Sequence, residues 1–453
     1  MTRLVSATRT QHEPSCPEAG GSAGLPAYNL RVMDRLLVTG GSRLEGFVQI
    51  SGAKNSALKV MAASLLTPGL STIENVPLIQ DCFTMVEVLE HLGAAVTWQD
   101  HTMSIDASAV GSFEAPYELV SRMRASIIVL GPLLARFGKA TVAMPGGCNI
   151  GSRNIDLHLK GLERMGVAFE SEHGYLRAHA KGLRGAVVSL DYPSVGATEN
   201  VMMAAVAAQG TTVIENAARE PEIVDLAQML KGMGARIGGE GSTVVEIEGV
   251  EGFSPVTHRV VPDRIEAATF ATAACITQGA VTLDGAFAGH LDIPLAKLAD
   301  AGAVVESVDG GLRVSADRRV SAVDFVTLPY PGLATDIQPI FMALLATAQG
   351  TSIITENVFE SRFMFVDELK RMGADIQTEG HHAVVRGVEQ LSAAPVRALD
   401  LRAGAAMVIA ALAADGVTEI SDMHHVDRGY EDFESKLAGL GAQVRRERGS
   451  APR

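Results

Sequence analysis

The sequence predicts an α/β protein assembled from six copies of one βαβ-rich unit, and three observations carry that expectation. The first is a segment in which a leucine stands four positions before a glycine, with a small and an apolar residue beyond it: LEHLGAAV, LERMGVAF, LKGMGARI, LADAGAVV, LKRMGADI and LAGLGAQV. Their glycines, Gly93, Gly166, Gly234, Gly302, Gly373 and Gly441, are spaced by 73, 68, 68, 71 and 68 residues. The second is an apolar, helix-like run closed by glycine and followed by a β-branched strand. It interleaves with the first at Gly69, Gly138, Gly210, Gly279, Gly350 and Gly416. The third is the place of these glycines, at the end of each helical run, where a helix C-terminus calls for a left-handed residue. Each period therefore reads helix, glycine cap, strand, then helix, glycine cap, strand and hairpin. A period of about 70 residues is too long for a thin solenoid, so the units are expected to group into compact domains.

Taken along the chain, residues 1–32 are rich in Ser, Thr, Ala, Gly and Pro and carry no periodicity, and they lack the apolar h-region of a secretory signal. They read as a disordered extension or an overlong start, with the ordered pattern beginning at Met33 in MDRLLVTGG. A chain of 453 residues exceeds one ordinary core, and three units per domain is the natural division. The boundary then falls between Gly234 and Gly302. VTHRVVPDRIE (256–266), a strand-like run broken by Pro262 before an apolar helix, is the candidate crossover, and the other lies near ISGAKN (50–55). The expected domains are 54–262 and, discontinuously, 33–53 with 263–453, so that the first strand joins the C-terminal half.

Composition narrows the function classes. With 47% hydrophobic and 20% charged residues the chain is compositionally a soluble globular protein. A net charge of -14, with 6 Tyr and 1 Trp, argues against a nucleic-acid surface, which needs a basic face. The longest apolar runs, ASIIVLGPLLA (125–135) and AAMVIAALAA (405–414), fall short of the roughly 20 residues that span a bilayer. The four cysteines, Cys16, Cys82, Cys148 and Cys275, have neither metal-type spacing nor disulfide-scaffold density, so a reducing cytoplasm and no metal are expected.

Several segments do not read as core. MPGGCNIGSRNIDLH (144–158) carries Gly146, Gly147 and Gly151 and reads as a loop, in which Cys148 is either a reactive thiol or a small buried hydrophobe. SGAKNSALKVMAASLL puts Lys54 and Asn55 at the start of an apolar-striped helix, where free N–H groups beside a lysine favour an anion. SVGATEN (194–200) opens another apolar helix, Asp336 stands at a helix start in PGLATDIQ, and Arg402 at a third. Arg124, Arg153, Arg362 and Arg428 interrupt apolar or structured stretches. One arginine of this kind is ordinarily a surface ion-pair residue. Together, in an acidic protein, they point to small anions, because the guanidinium fork suits carboxylate and phosphate.

GAKN, MRASI, PGGCxIGSR, SVGATEN, NAAREPEIVDL, PDRIE, TDIQ, ENVFESRF, DLRAG and HVDRGYE, in that order, closely resemble the UDP-N-acetylglucosamine 1-carboxyvinyltransferase family. The resemblance implies a two-domain, inside-out α/β barrel-like fold of six βαβαββ units. It also implies transfer of the enolpyruvyl group of phosphoenolpyruvate to the sugar 3-hydroxyl, with release of phosphate, opening peptidoglycan precursor synthesis without a cofactor. On the matching positions it makes Cys148, Asp336, Lys54 and Arg428 the catalytic set. Lys54 and Asn55 contact phosphoenolpyruvate and acceptor, and Arg124, Arg402 and Arg428 bind anions, with Arg362 a further member. Cys148 is the proton donor and the fosfomycin target. Arg153, Asn154, Ile155, Asp156, Leu157, Tyr192, Pro193, Ser194, Val195, Asp336 and Val358 fall where the nucleotide sugar is held. Asp336 suits a general base for the hydroxyl, and the cationic groups suit the charge of a tetrahedral intermediate. Domain closure, with the glycine loop as lid, follows from the implied layout. Cys82 and Cys275 sit among apolar neighbours and read as core, while His158, His424 and His425 receive no role.

Two positions depart from the family pattern: Asn154 stands where proline commonly follows the arginine, and Ala334 replaces the usual proline before Asp336. Each frees backbone and adds an N–H near the uridine end of the acceptor. Two alternatives therefore stand beside the main reading. One is an enolpyruvyl transferase of specialised metabolism using another uridine nucleotide such as UMP, and the other a catalytically silent nucleotide-sugar-binding paralog. The oligomeric state is not legible in the sequence.

Overall fold

A computed structural model describes residues 34–144 and 155–448. Its helices are α1 (Lys54–Ala63), α2 (Gln80–Leu92), α3 (Tyr117–Arg122), α4 (Leu130–Phe137), α5 (Asp156–Arg164), α6 (Val195–Ala205) and α7 (Pro221–Gly232). They continue with α8 (Arg264–Ile276), α9 (Asp292–Asp300), α10 (Gln338–Leu345), α11 (Val366–Arg371), α12 (Leu401–Leu412) and α13 (Phe433–Gly439). Among the described residues the strands form six four-stranded sheets and one two-stranded sheet.

The four-stranded sheets share one plan. In the sheet ordered Thr257–Arg259, Leu70–Glu74, Thr102–Asp106, Ala95–Gln99, an edge strand runs parallel to the strand after the glycine, which pairs antiparallel with one arm of a hairpin. The glycine turns are the reason the plan repeats. Gly93 and Gly138 end α2 and α4 at positive φ, and Gly166, Gly234, Gly302, Gly373 and Gly441 take it one residue past a helix C-cap. Gly69, Gly210, Gly350 and Gly416 also take positive φ but stand two to four residues beyond the helix C-caps Thr67, Val206, Ala346 and Ala413, in the turn that enters the next strand, and so are not the expected caps. Gly279 departs from the expected left-handed cap in another way: Gln278 takes the positive φ, 53°, in its place. Gly279 is required for closeness instead, since a Cβ there would lie 2.1 Å from the Leu44 carbonyl oxygen.

Some helices are apolar all round and lie inside. Every residue of α8 and α10 is buried, and in α12 all but Leu401, as expected of a helix with no polar stripe. These three pack on one another, while α1, α4 and α6 form the interior of the other half and the sheets lie outside.

The buried apolar residues divide into two clusters. One draws on residues 53–260, the other on 36–50 together with 265–442. The strand Asp34–Thr39 sits inside the second, between Val417–Ser421 and Gln443–Arg448, with Leu36 opposite Ile420 on one side. Glu45–Gln49 pairs parallel with Ala280–Asp284. The chain thus passes between the cores twice, and the two passages hold each other: Ala53 N–H donates to the Val261 carbonyl at 2.7 Å and Asp263 N–H to that of Ser51 at 2.8 Å. Gly52 sits in this ladder because a Cβ would fall 1.7 Å from the Asn75 carbonyl oxygen.

Candidate active site

The passages between the cores deliver the starts of α1 and α8 to the same place. Asp263 N-caps α8 through Ile265 and Glu266, and its other carboxylate oxygen accepts the Lys54 N–H at 3.3 Å. Lys54 is therefore held at the first turn of α1, buried, and its Nζ lies 2.7 Å from Asp81 of α2. The same carboxylate accepts Arg428 Nε at 2.9 Å and a terminal guanidinium nitrogen at 3.3 Å. Lys54 and Asp81 belong to one core, whereas Arg428 comes from the loop beside the other. Burial would raise Asp81, but Lys54 and Arg428 outweigh it and hold its carboxyl below the ordinary value. Burial, reinforced by Arg428 and Arg402, pushes Lys54 below its ordinary value, against the attraction of Asp81.

A second carboxylate gathers two more cations. Asp336 lies in the turn before α10 and accepts Arg402 Nε at 3.1 Å, with an Arg362 nitrogen 3.6 Å from its other oxygen. Both arginines are buried, at 3% exposure, whereas the Asp336 side chain keeps 24%, so one part of the carboxylate remains accessible. Arg402 is set by Asp400, which caps α12, and by the Tyr430 ring, whose centroid lies 5.3 Å away. Arg362 Nε and Nη2 and Arg402 Nη1 are buried without a hydrogen-bond acceptor among the described residues. Buried guanidinium N–H groups with no acceptor are costly on their own and gain most from an oxyanion.

The remaining expected residues lie on helix starts and turns. Ile155 precedes α5, with Asp156 and Leu157 in its first turn. Ser194 caps α6 by accepting the Ala197 N–H at 3.3 Å, and Tyr192 and Pro193 lead into it, with Val195 its first residue. Val358 sits on a turn whose N–H groups converge on the buried carboxylate of Glu356. Tyr192 is raised by burial and then by Glu220 and Glu356. Asn55 is half-buried, and its carbonyl accepts Lys59 Nζ at 2.6 Å. Arg124 begins a short 3-10 turn near His158. That histidine is lowered to about 4, by burial first and then by Arg124, and its Nδ1 lies 2.8 Å from the Asn200 amide nitrogen. His158 is thus a neutral structural group, while His424 and His425 stack on each other at 4.1 Å. Cys82 and Cys275 are buried. Cys148, Arg153 and Asn154, like residues 1–33, lie outside the described residues.

Three functional groups escaped sequence reasoning: Asp81, Glu356 and the Lys59–Glu199 pair, 3.3 Å apart. Asp81 reads in PLIQDCF as an ordinary acidic residue of a helix first turn. Glu356 was hidden by the repeat, because TENV reads like IENV and IENA, yet Glu74 and Glu215 end their strands and are not buried, whereas Glu356 falls one residue past the strand Thr351–Thr355 and is buried.

Residues 38–437 match the family model described as EPSP synthase (3-phosphoshikimate 1-carboxyvinyltransferase). The UDP-N-acetylglucosamine 1-carboxyvinyltransferase of Trichlorobacter lovleyi is 52% identical over 415 residues, covering 91% of this chain and 99% of that one. The enzyme of the same name from Corynebacterium jeikeium is 52% identical over 413 residues, with 91% and 99% covered. Among solved structures, the enolpyruvyl transferase NikO from Streptomyces tendae superposes with a TM-score of 0.84 at 27% identity, covering 92% of this chain and all of NikO. EPSP synthase from Acinetobacter baumannii, with a TM-score of 0.73 at 16% identity and 92% and 100% covered, shares the fold. With relatives more than half identical over nearly their whole length, this chain belongs to the UDP-N-acetylglucosamine 1-carboxyvinyltransferase family of enolpyruvyl transferases.

Proposed function

We propose that this protein transfers the enolpyruvyl group of phosphoenolpyruvate to the 3-hydroxyl of UDP-N-acetylglucosamine, releasing phosphate, as the first committed step of peptidoglycan precursor synthesis in the cytoplasm. The observation that carries this is the meeting of Lys54, Arg428, Arg402 and Arg362 from both cores around two carboxylates, Asp81 and the partly accessible Asp336. Among the described residues no helix is long and apolar enough to cross a membrane.

The steps follow from the residue types. The acceptor hydroxyl oxygen bonds to C2 of phosphoenolpyruvate as its proton passes to Asp336, and C3 takes a proton from the Cys148 thiol. C3 then returns a proton to the Cys148 thiolate, the C2–C3 double bond re-forms and the C2–O bond to phosphate breaks, the departing phosphate taking up the proton held by Asp336. Lys54, Arg124 and the arginines balance the carboxylate and phosphate charge of the intermediate. Arg402 and Arg362, being nearly inaccessible, clamp Asp336 from within and leave its accessible part for the hydroxyl. Ion pairing weakens a base, so the acceptor's own anionic groups must draw part of that charge for Asp336 to take the proton. No metal is assigned a part.

At Ala334 the carbonyl accepts the Ile337 N–H at 2.9 Å, so the turn before Asp336 forms without proline. The test is phosphate release from phosphoenolpyruvate with UDP-N-acetylglucosamine and, in parallel, UMP. Release with the amino sugar supports the reading, release with UMP alone reassigns the acceptor, and release with neither removes the activity. Cys148→Ala is expected to abolish covalent labelling by fosfomycin and to lower turnover sharply; labelling of that variant as in wild type would overturn the cysteine's role.

A further inference from the structure

Asp81 is nearly inaccessible, carries no role in the reaction as set out above, and touches two of its groups at once. Among the described residues its carboxylate joins Lys54, at 2.7 Å, to Arg428, at 2.9 Å, and those two cations come from different cores. We propose that Asp81 is the positioning residue of the phosphoenolpyruvate site, fixing the direction of the Lys54 ammonium and the Arg428 guanidinium and keeping Lys54 protonated. This rests on the functional reading just given.

The geometry supplies the reason. An ammonium has three donors on a flexible stem, and one charge-assisted bond to a fixed carboxylate restricts where the other two go. The Asp81 carboxylate is itself fixed, because it sits in the first turn of α2 and accepts Arg428 through two nitrogens. The α2 start is also tied to the other core, Gln80 N–H donating to the Asp427 carbonyl at 3.0 Å, one residue before Arg428. Asp81 is therefore placed by both cores and places a cation from each.

Charge points the same way. Around Lys54 stand Asp81 from α2, Arg428 from the loop after His425, Arg402 from α12 and Asp263 ahead of α8; Glu431 faces the neighbouring Cys82. Burial and the two arginines favour a neutral amine, and Asp81 is the principal group opposing them. Without its carboxylate the ammonium would lose its proton at lower pH, and a neutral amine binds an anionic donor poorly.

The test is the pH profile of kcat/KM for phosphoenolpyruvate in wild type, Asp81→Asn, Asp81→Glu and Lys54→Arg, with UDP-N-acetylglucosamine saturating. In Asp81→Asn the alkaline limb is expected to move down by about one pH unit or more, an opposite charge at this distance being worth about 1–3 units. At a fixed pH on that limb this is about a tenfold loss per unit. In Lys54→Arg the part of the limb set by the ammonium should vanish, because a guanidinium does not titrate there, and only the limb set by the Cys148 thiol should remain. Asp81→Glu keeps the charge but displaces it, so the limb should stay while KM for phosphoenolpyruvate rises. That variant decides the matter if Asp81→Asn does not fold: a raised KM with an unmoved limb supports the proposal, and a wild-type KM overturns it. An active wild type with an Asp81→Asn profile superimposed on it overturns the proposal alone. A wild type that releases no phosphate from phosphoenolpyruvate removes the functional reading, and the proposal with it.

Discussion

Replacing Glu199 by glutamine should change how the stability of this protein responds to pH. Glu199 lies in α6, fully buried, with Lys59 Nζ 3.3 Å from one oxygen, and neither carboxylate oxygen has a hydrogen bond among the described residues. Burial lifts its carboxyl from 4.5 to about 7 even though Lys59 pulls the other way. A carboxyl raised in the folded state binds its proton where the unfolded chain has already released it. Folding is then favoured less and less as pH climbs from the unfolded value towards the folded one. The difference of about 2.5 units, at roughly 1.4 kcal/mol each, amounts to about 3 kcal/mol lost between about pH 4.5 and 7. The amide of Glu199→Gln does not titrate, so the stability of wild type relative to the variant should fall by about that much across the window. The slope is the quantity to compare, because leaving Lys59 without its carboxylate adds an offset of its own. Urea unfolding of both proteins at half-unit pH steps measures it. A stability difference that stays constant across the window would refute the assignment of a proton to Glu199.

Two further outcomes are expected. Asp336→Asn should lower kcat by about 10²–10⁴ in steady-state phosphate release, the range for loss of a general base. It should also lower the unfolding midpoint, because Arg402 and Arg362 then face a neutral amide; unchanged kcat would remove Asp336 as base. In the native protein, brief alkylation at pH 8 should leave Cys82 and Cys275 untouched, since burial holds the Cys275 thiol at about 12 and raises Cys82 well above its ordinary value. Both should be modified in urea, and peptide mass analysis reads the difference; native labelling of either would contradict the burial.

The first set of glycine turns and the alternation of helix and strand were legible because they are local. A glycine just past a helix offers the left-handed turn by which the chain leaves it, whatever that helix packs against. Even so, Gly279 shows the limit: the sequence pattern is kept there while the left-handed turn moves to Gln278, because the Leu44 carbonyl approaches too closely for any side chain. The family was legible too, since the motifs that carry Lys54, Arg402 and Asp336 stand in an order along the chain that specifies it.

What the sequence determined by itself is therefore the repeat and the family. Only the tertiary structure decided which carboxylate each cation meets. Asp81 and Arg428 are separated by 347 positions, and Glu356 lies buried one residue past the strand end that Glu74 and Glu215 occupy unburied. Ion pairing and burial depend on distance and on exclusion of water, and neither is set by the neighbours a residue has along the chain; they arise when two cores, joined by side-by-side crossovers, bring their helix starts together.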